Sequence, residues 1–316
     1  MKNIYSNIFK VNNNNLSKAI NSLKKKELIG VPTETVYGLA GNAYSSTTIK
    51  KIYILKKRPF KNPLIIHYYG LEQLKKDVEL NDNFFMLYKK FSPGPITFVL
   101  KKKKESLLSN VATAKLKTVA VRVPKNKILR KILKSLNFPL AIPSANKSSH
   151  ISPVSAKDVV QEFSNSVKII LDGGSCKIGL ESTVVDLTSK PKILRPGFIG
   201  PITISKTLNR KIINVNSGII KAPGMLKRHY SPGVPMKLNQ KKAKDNEAFI
   251  VFGKKYKKGK NIFNLSHKSD LNEAAKNLYK TLRIIKNKKY KMICVCSIPH
   301  TGIGLAINDR LKRAAK

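Results

Sequence analysis

The chain is 316 residues long, 41% hydrophobic, and carries a formal net charge of +45 at pH 7. Its length and apolar content suit one large domain or two ordinary ones and exclude disorder throughout. No apolar run approaches the roughly 20 residues of a membrane helix and no basic-then-apolar leader is present, so a cytoplasmic location is the default expectation.

In chain order, Ala19, Ile20 and Leu23 have helical spacing, and a strand is expected near 28–31. Ile49, Ile52 and Tyr53 predict a helix ending near Lys57. Residues 63–68 read as a buried strand, 84–91 as a helix and 96–100 as a strand. Over 118–124, Val119, Val121 and Val123 alternate with Ala120 and Arg122. The valines therefore bury on one face and Arg122 projects from the other. An arginine inside an apolar strand is costly unless an anion meets it; a surface arginine on a half-exposed sheet is the other reading.

Ile128, Leu129, Ile132, Leu133 and Leu136 mark another helix. A short strand at 140–142 runs into Pro143-Ser144-Ala145-Asn146, and Ser152-Pro153 reads as the N-cap and first residue of the next helix. Strands are expected at 168–171, 183–187 and 192–194, with a turn at Asp172-Gly173-Gly174. From about 202 to 235 one short helical stretch gives way to Gly-, Pro- and Ser-rich sequence, which reads as a linker or functional loop. Beyond Ala248 a second β/α pattern begins, with strands at 248–252 and 292–296 and helices at 271–286 and 305–315. It suits a small parallel-sheet domain. Gly302-Ile303-Gly304 opens the last helix but lacks the third glycine of a dinucleotide fingerprint. No internal repeat is visible.

Three cysteines, Cys176, Cys294 and Cys296, argue against a disulfide framework. Cys294 and Cys296 stand two apart in an apolar run and read as reduced core thiols. No His/Cys cluster has zinc spacing. Nine of the 62 basic residues are arginine, so the excess charge is nearly all lysine. A polyanionic partner such as RNA would account for it. The residue bias of a low-GC genome would also produce it, along with the asparagine run at 12–15. Charge alone leaves both readings open.

The polar segments fall at predicted strand ends or in adjoining loops, where open α/β sheets bind ligands. Lys56-Lys57-Arg58-Pro59, followed by Asn62-Pro63-Leu64 and His67, combines cations with prolines that fix φ, which suits a rigid anion cradle. Arg58 adds a planar fork matched to phosphate or carboxylate oxygens. Lys56, Arg58, Arg122 and Arg195 can offset several negative charges, while Ser144, Asn146, Ser182 and Thr183 offer short positioning contacts. That inventory suits a nucleoside triphosphate together with a small carboxylate. No Ser–His–Asp arrangement and no P-loop is signalled.

On these motifs the chain resembles the two-domain form of threonylcarbamoyl-AMP synthase, in the YrdC family. The resemblance runs through Pro32-Thr33-Glu34-Thr35-Val36-Tyr37-Gly38-Leu39, the Lys56–His67 stretch, Val119-Ala120-Val121-Arg122-Val123-Pro124 and Pro143-Ser144-Ala145-Asn146. It continues through Glu181-Ser182-Thr183-Val184-Val185-Asp186, Leu194-Arg195-Pro196-Gly197, Ala222-Pro223-Gly224-Met225, Arg228-His229-Tyr230-Ser231-Pro232 and the ending from Asn308 to Ala315. His150-Ile151 departs from the small, glycine-rich sequence more usual after Ser-Ala-Asn.

The resemblance implies an α/β fold, with a YrdC-like twisted mixed sheet and flanking helices over 1–204. A linker and lid over 205–240 and a smaller Rossmann-like parallel α/β C-terminal domain over 241–316 complete it. It implies a nucleotidyltransferase that converts L-threonine, bicarbonate and ATP, with Mg2+, into threonylcarbamoyl-AMP, pyrophosphate and water, for threonylcarbamoyladenosine formation in tRNA. The macromolecular partners it suggests are tRNA or the tRNA-modifying transferase complex. Matched motif by motif, Thr35, His67, Arg122 and Ser182 would hold threonine, with Arg122 facing its carboxylate. Arg58, Asn62, Thr118, Ser144, Ser152, Arg195 and Tyr230 would contact ATP. Lys56 and Arg58 would be the catalytic cations, Lys56 as a phosphate or bicarbonate contact. Metal ligands are not legible. The alternative from another class is a non-catalytic basic RNA-binding protein of the same fold. A carbamoyltransferase-type maturation enzyme is disfavoured, because acylphosphatase-like and zinc-ligand segments are missing from the sequence.

Overall fold

A computed structural model describes residues 5–214, 229–288 and 290–316. The linker residues Ala222 to Met225 and Arg228 lie outside them. Element β1 is Ile8–Lys10, α1 Asn13–Lys24, β2 Ile29–Val31, β3 Gly38–Asn42, α2 Ser46–Lys56, β4 Ile65–His67 and α3 Leu71–Leu74. Then follow α4 Asp82–Phe91, β5 Ile96–Lys101, β6 Thr118–Arg122, α5 Lys127–Lys134, β7 Leu140–Ala141 and α6 Ala156–Phe163. The larger sheet ends with β8 Ile170–Asp172, β9 Thr183–Asp186, β10 Lys192–Arg195, α7 Pro201–Thr207 and β11 Ile213–Asn214. The remainder is β12 Met236–Lys237, β13 Ala248–Val251, β14 Ile262–Asn264, α8 Leu271–Asn287, β15 Ile293–Val295 and α9 Gly304–Ala314.

Among the described residues the large sheet has eleven strands in the order β1-β8-β2-β3-β7-β4-β6-β5-β9-β10-β11. Pairing is mixed: β4 and β6 are parallel, β5 and β6 antiparallel, β5 and β9 parallel. The small sheet, β12-β15-β13-β14, is parallel throughout. The fold is therefore the mixed α/β sheet plus small parallel sheet expected from the sequence. Residues 205–240 contribute to both, since β11 pairs with β10 and β12 with β15.

The alternation in β6 sorts its side chains as its spacing dictates. Val119, Val121 and Val123 enter the main core, while Ala120 joins Ile65, Val99, Val184 and Leu194 in a small apolar cluster. Arg122 shares the Ala120 face. A second core packs α1 and α5 over β2, β3 and β7 through residues such as Leu23, Ile29, Leu129 and Leu140. Among the described residues no helix is long and apolar enough to cross a membrane.

One expected helix start is corrected. Ser152 does not cap α6; Ser155 does, in a capping box with Asp158. The Asp158 carboxylate also accepts the Val154 and Ser155 N–H groups, which fixes the start three residues later. Cys294 and Cys296 are buried thiols, and Cys176 is buried too. The strands unforeseen from the sequence, β1, β3 and β14 among them, are short or glycine-bearing.

Candidate active site

The Arg58 loop follows from how α2 ends. Ser45 caps its start, and Lys57 adopts a left-handed φ of 49° at its close. Arg58 precedes a proline, which disfavours further helix. Arg58 turns back instead, donating Nε to the Asn62 carbonyl (2.9 Å) and Nη2 to that of Pro63 (2.7 Å). Lys56, 1% exposed, donates Nζ to the carbonyls of Ser144 (2.5 Å) and Asn146. Both cations thus meet carbonyl oxygens, and neither pairs with a carboxylate among the described residues. Burial, reinforced by Arg58, lowers the Lys56 ammonium well below its usual range. Burial also lowers Arg58 to about 10.

Across the sheet, His67 and Arg122 are register partners on β4 and β6. Arg122 is buried and meets an anion, as its apolar setting requires. Its Nη2 donates to Glu34 Oε1 (2.6 Å), Nη1 to Thr35 Oγ1 (3.1 Å) and Nε to the Gly94 carbonyl (3.2 Å). Burial tends to raise the Glu34 carboxyl, yet Arg122 holds it below its ordinary value. Burial, with the Arg122 charge, depresses His67 to about 3, so its ring is neutral near pH 7.

Arg195 wraps Ser182, donating Nε to its carbonyl (3.1 Å) and Nη2 to its Oγ (3.0 Å). Gly197 lets the backbones approach: a Cβ there would lie 2.3 Å from the Thr183 nitrogen and 2.6 Å from the Ser182 carbonyl carbon. Tyr230 sits at φ 65°, a conformation costly for an aromatic residue, with its ring 4.0 Å from that of His229.

These groups converge. Thr35, His67, Arg122 and Ser182 line one cavity with Arg58, Ser144, Arg195 and Tyr230, so the expected threonine and ATP contacts share a single space. His229 and Tyr230 line it as well, and its volume is about 40 Å³, enough for a few water molecules. The remaining expected residues, Lys56, Asn62, Ser152 and Thr118, do not line it. Lys56 lies behind Ser144. Asn62 is fully buried, its amide oxygen and nitrogen both without a hydrogen-bond partner in the protein. Ser152 is one step removed, donating to Glu181 (2.5 Å), which lines the cavity. Thr118 is on the Arg122 face roughly 13 Å away along β6 and does not line the cavity.

Thr33, Glu181 and His229 also line the cavity and were not singled out from the sequence. Thr33 Oγ1 lies 2.8 Å from Thr35 Oγ1. Glu181 is held at about 2: burial pushes it up, but Arg310 and Arg195 outweigh that. Its charge partner is 129 positions away, which no local spacing reveals. Among the described residues no group of three or more His, Cys, Asp or Glu could hold a metal ion.

Two family models match. The one described as "Telomere recombination" covers residues 21–197, and "Threonylcarbamoyl-AMP synthase, C-terminal domain" covers 199–316. The chain is 37% identical to the threonylcarbamoyl-AMP synthase of Pyrococcus abyssi over 93% of its length and 92% of the relative's. It is 33% identical to the Bacillus subtilis enzyme over 96% and 94%. The crystal structure of P. abyssi Sua5 complexed with L-threonine superposes with a TM-score of 0.90 at 34% identity, covering 98% of this chain and 97% of that one. The chain belongs to the threonylcarbamoyl-AMP synthase family, in its two-domain form.

Proposed function

We propose that this cavity holds L-threonine and ATP side by side and joins them through a carbamate derived from bicarbonate. As a family member the protein is an ATP-using, nucleotidyl-transferring enzyme. The carrying observation is the convergence of Thr35, His67, Arg122 and Ser182 with Arg58, Ser144, Arg195 and Tyr230 on one space. The L-threonine in the P. abyssi structure supports the amino-acid half.

In this reading the threonine carboxylate meets the two N–H groups of Arg122 not given to Glu34, Thr35 and Gly94. Its amine adds to carbon dioxide formed from bicarbonate with loss of water. A carbamate oxygen attacks the α-phosphorus of ATP, and pyrophosphate leaves. Neutral His67 and the hydroxyls of Thr35 and Ser182 orient threonine; Arg58, Arg195, Asn62 and Ser144 position the nucleotide. Asn62, His229 and Tyr230 each carry a buried polar atom without a protein partner, which a polar ligand would satisfy. Lys56 fixes the Ser144–Asn146 backbone and adds positive charge near the phosphates. Juxtaposition of the reactants and fixed cations supply most of the rate.

Mg2+ would enter with the nucleotide and would offset charge on its phosphates, since among the described residues no cluster of side chains could hold it alone. Glu181, the carboxylate that lines the cavity, is already ion-paired with Arg310, and Glu34, which does not line it, with Arg122. The cavity is too small for either substrate as it stands, so the linker that carries His229 and Tyr230 serves as a lid that opens to admit them.

The test is pyrophosphate release from ATP with threonine and bicarbonate, each omitted in turn. Release that needs all three supports the reading. Threonine-independent release, or none, rejects it.

A further inference from the structure

We propose that Arg310, in the C-terminal domain, is a positioning residue for the nucleotide half of the pocket, acting through Glu181 and Tyr230. The inference rests on the reading above that ATP occupies that half.

Arg310 lies on α9 and is 1% exposed. Its Nε donates to Glu181 Oε2 (2.8 Å), and its guanidinium carbon stands 5.2 Å from the Tyr230 ring centroid. Glu181 in turn accepts from Ser152 Oγ (2.5 Å) and from Tyr279 OH (2.9 Å), and Tyr279 stacks on Tyr230 at 5.8 Å. Two side chains from the C-terminal domain therefore grip the carboxylate that anchors Ser152 and precedes Ser182. With so many donors on it, Glu181 orients its neighbours rather than reacting. It stays ionised well below neutral pH, so the grip does not loosen in the working range.

The rest of α9 extends the grip. Asp309 accepts from Arg310 Nη1 (2.7 Å) and from Arg313 Nε (3.0 Å), and the Arg313 carbonyl accepts the His229 N–H (3.3 Å). Helix α9 thus touches both of the described lid residues that line the cavity. A plane that stacks while donating along its edge needs a guanidinium, and lysine cannot replace it. The Arg310 Nη2 group is buried with no protein partner, as is the Tyr230 hydroxyl. A mere staple between domains would have no reason to hold two residues that line the cavity, Glu181 and Tyr230.

The experiment uses the full chain and the variants Arg310→Met, Arg310→Lys, Glu181→Gln and Arg310→Met/Glu181→Gln. Steady-state pyrophosphate release is paired with calorimetric binding of a non-hydrolysable ATP analogue, below each variant's Tm. Arg310→Met is expected to raise KM for ATP and the analogue's Kd by about tenfold to a hundredfold, with KM for threonine within about threefold. Glu181→Gln should shift both the same way, and the double variant should be no worse than Arg310→Met alone. Arg310→Lys should recover only part of the loss. Unchanged ATP parameters, equal losses for ATP and threonine, or additive single effects would overturn the proposal. If Arg310→Met does not fold, Arg310→Lys and Tyr279→Phe decide it by the same criteria. The binding arm separates the two readings: failure of wild-type turnover with intact analogue binding strikes at the reaction, not at Arg310.

Discussion

Arg122 concentrates the chemistry of the threonine half. Glu34 neutralises its burial, while Thr35 and the Gly94 carbonyl fix its plane. Arg122→Ala removes the expected carboxylate partner and leaves Glu34 buried without its cation, a loss of about 3–5 kcal/mol. Threonine kcat/KM should fall at least about a hundredfold, more than for ATP, in pyrophosphate-release kinetics; unchanged threonine dependence would contradict the assignment. His67 and His229 give a second, pH-linked expectation. Burial depresses both to about 3, against 6.5 for the exposed ring. The unfolded chain therefore binds more protons between those values, and their contribution to stability is complete above pH 6.5 and lost as pH falls toward 3. Denaturant unfolding from pH 7 to 4 should show stability dropping by up to about 1.4 kcal/mol per pH unit for each histidine. His67→Gln should flatten that slope.

At the scale of elements, the site depends on close backbone approach where β9 and β10 meet. Gly197→Ala places a methyl against the backbone of Ser182 and Thr183. A loss of about 1–3 kcal/mol in thermal unfolding is expected, together with weaker ATP use, because Arg195 is held by Ser182. A Tm equal to wild type would refute that close packing. The long elements were readable in advance because their periodicity is strong: α4, α8 and β6 stand where the spacing put them. Strand β3 was not, since Gly38-Leu39-Ala40-Gly41-Asn42 has little strand character until neighbours pair with it. Ser152-Pro153 looked like a helix start because local chemistry cannot show that Ser152 is engaged by Glu181. The same limit hid His229 and Arg310. Their motifs were visible, but their partners come from distant parts of the chain.

For the whole molecule, the charge is divided by residue type. Arg58, Arg122, Arg195, Arg283 and Arg310 are buried, while Lys56 is the one buried lysine among the described residues. Arginine thus serves the pocket and the domain boundary, where forks are needed, and lysine coats the surface. A surface of that kind should bind tRNA through its phosphates without regard to sequence. The expected result is a linear fall of log Kobs with log salt, at about −0.9 per phosphate contacted on a duplex, and equal for unrelated RNA. Salt-independent or absent binding would leave the lysines to composition alone.

One cavity should bring threonine, bicarbonate and ATP together. The decisive measurement incubates the protein with ATP, threonine and 13C-bicarbonate and takes the mass spectrum of the nucleotide product. The expected product is an AMP adduct of threonine that carries the label and disappears when threonine or ATP is omitted. An adduct without the label, or AMP formed without threonine, would contradict it.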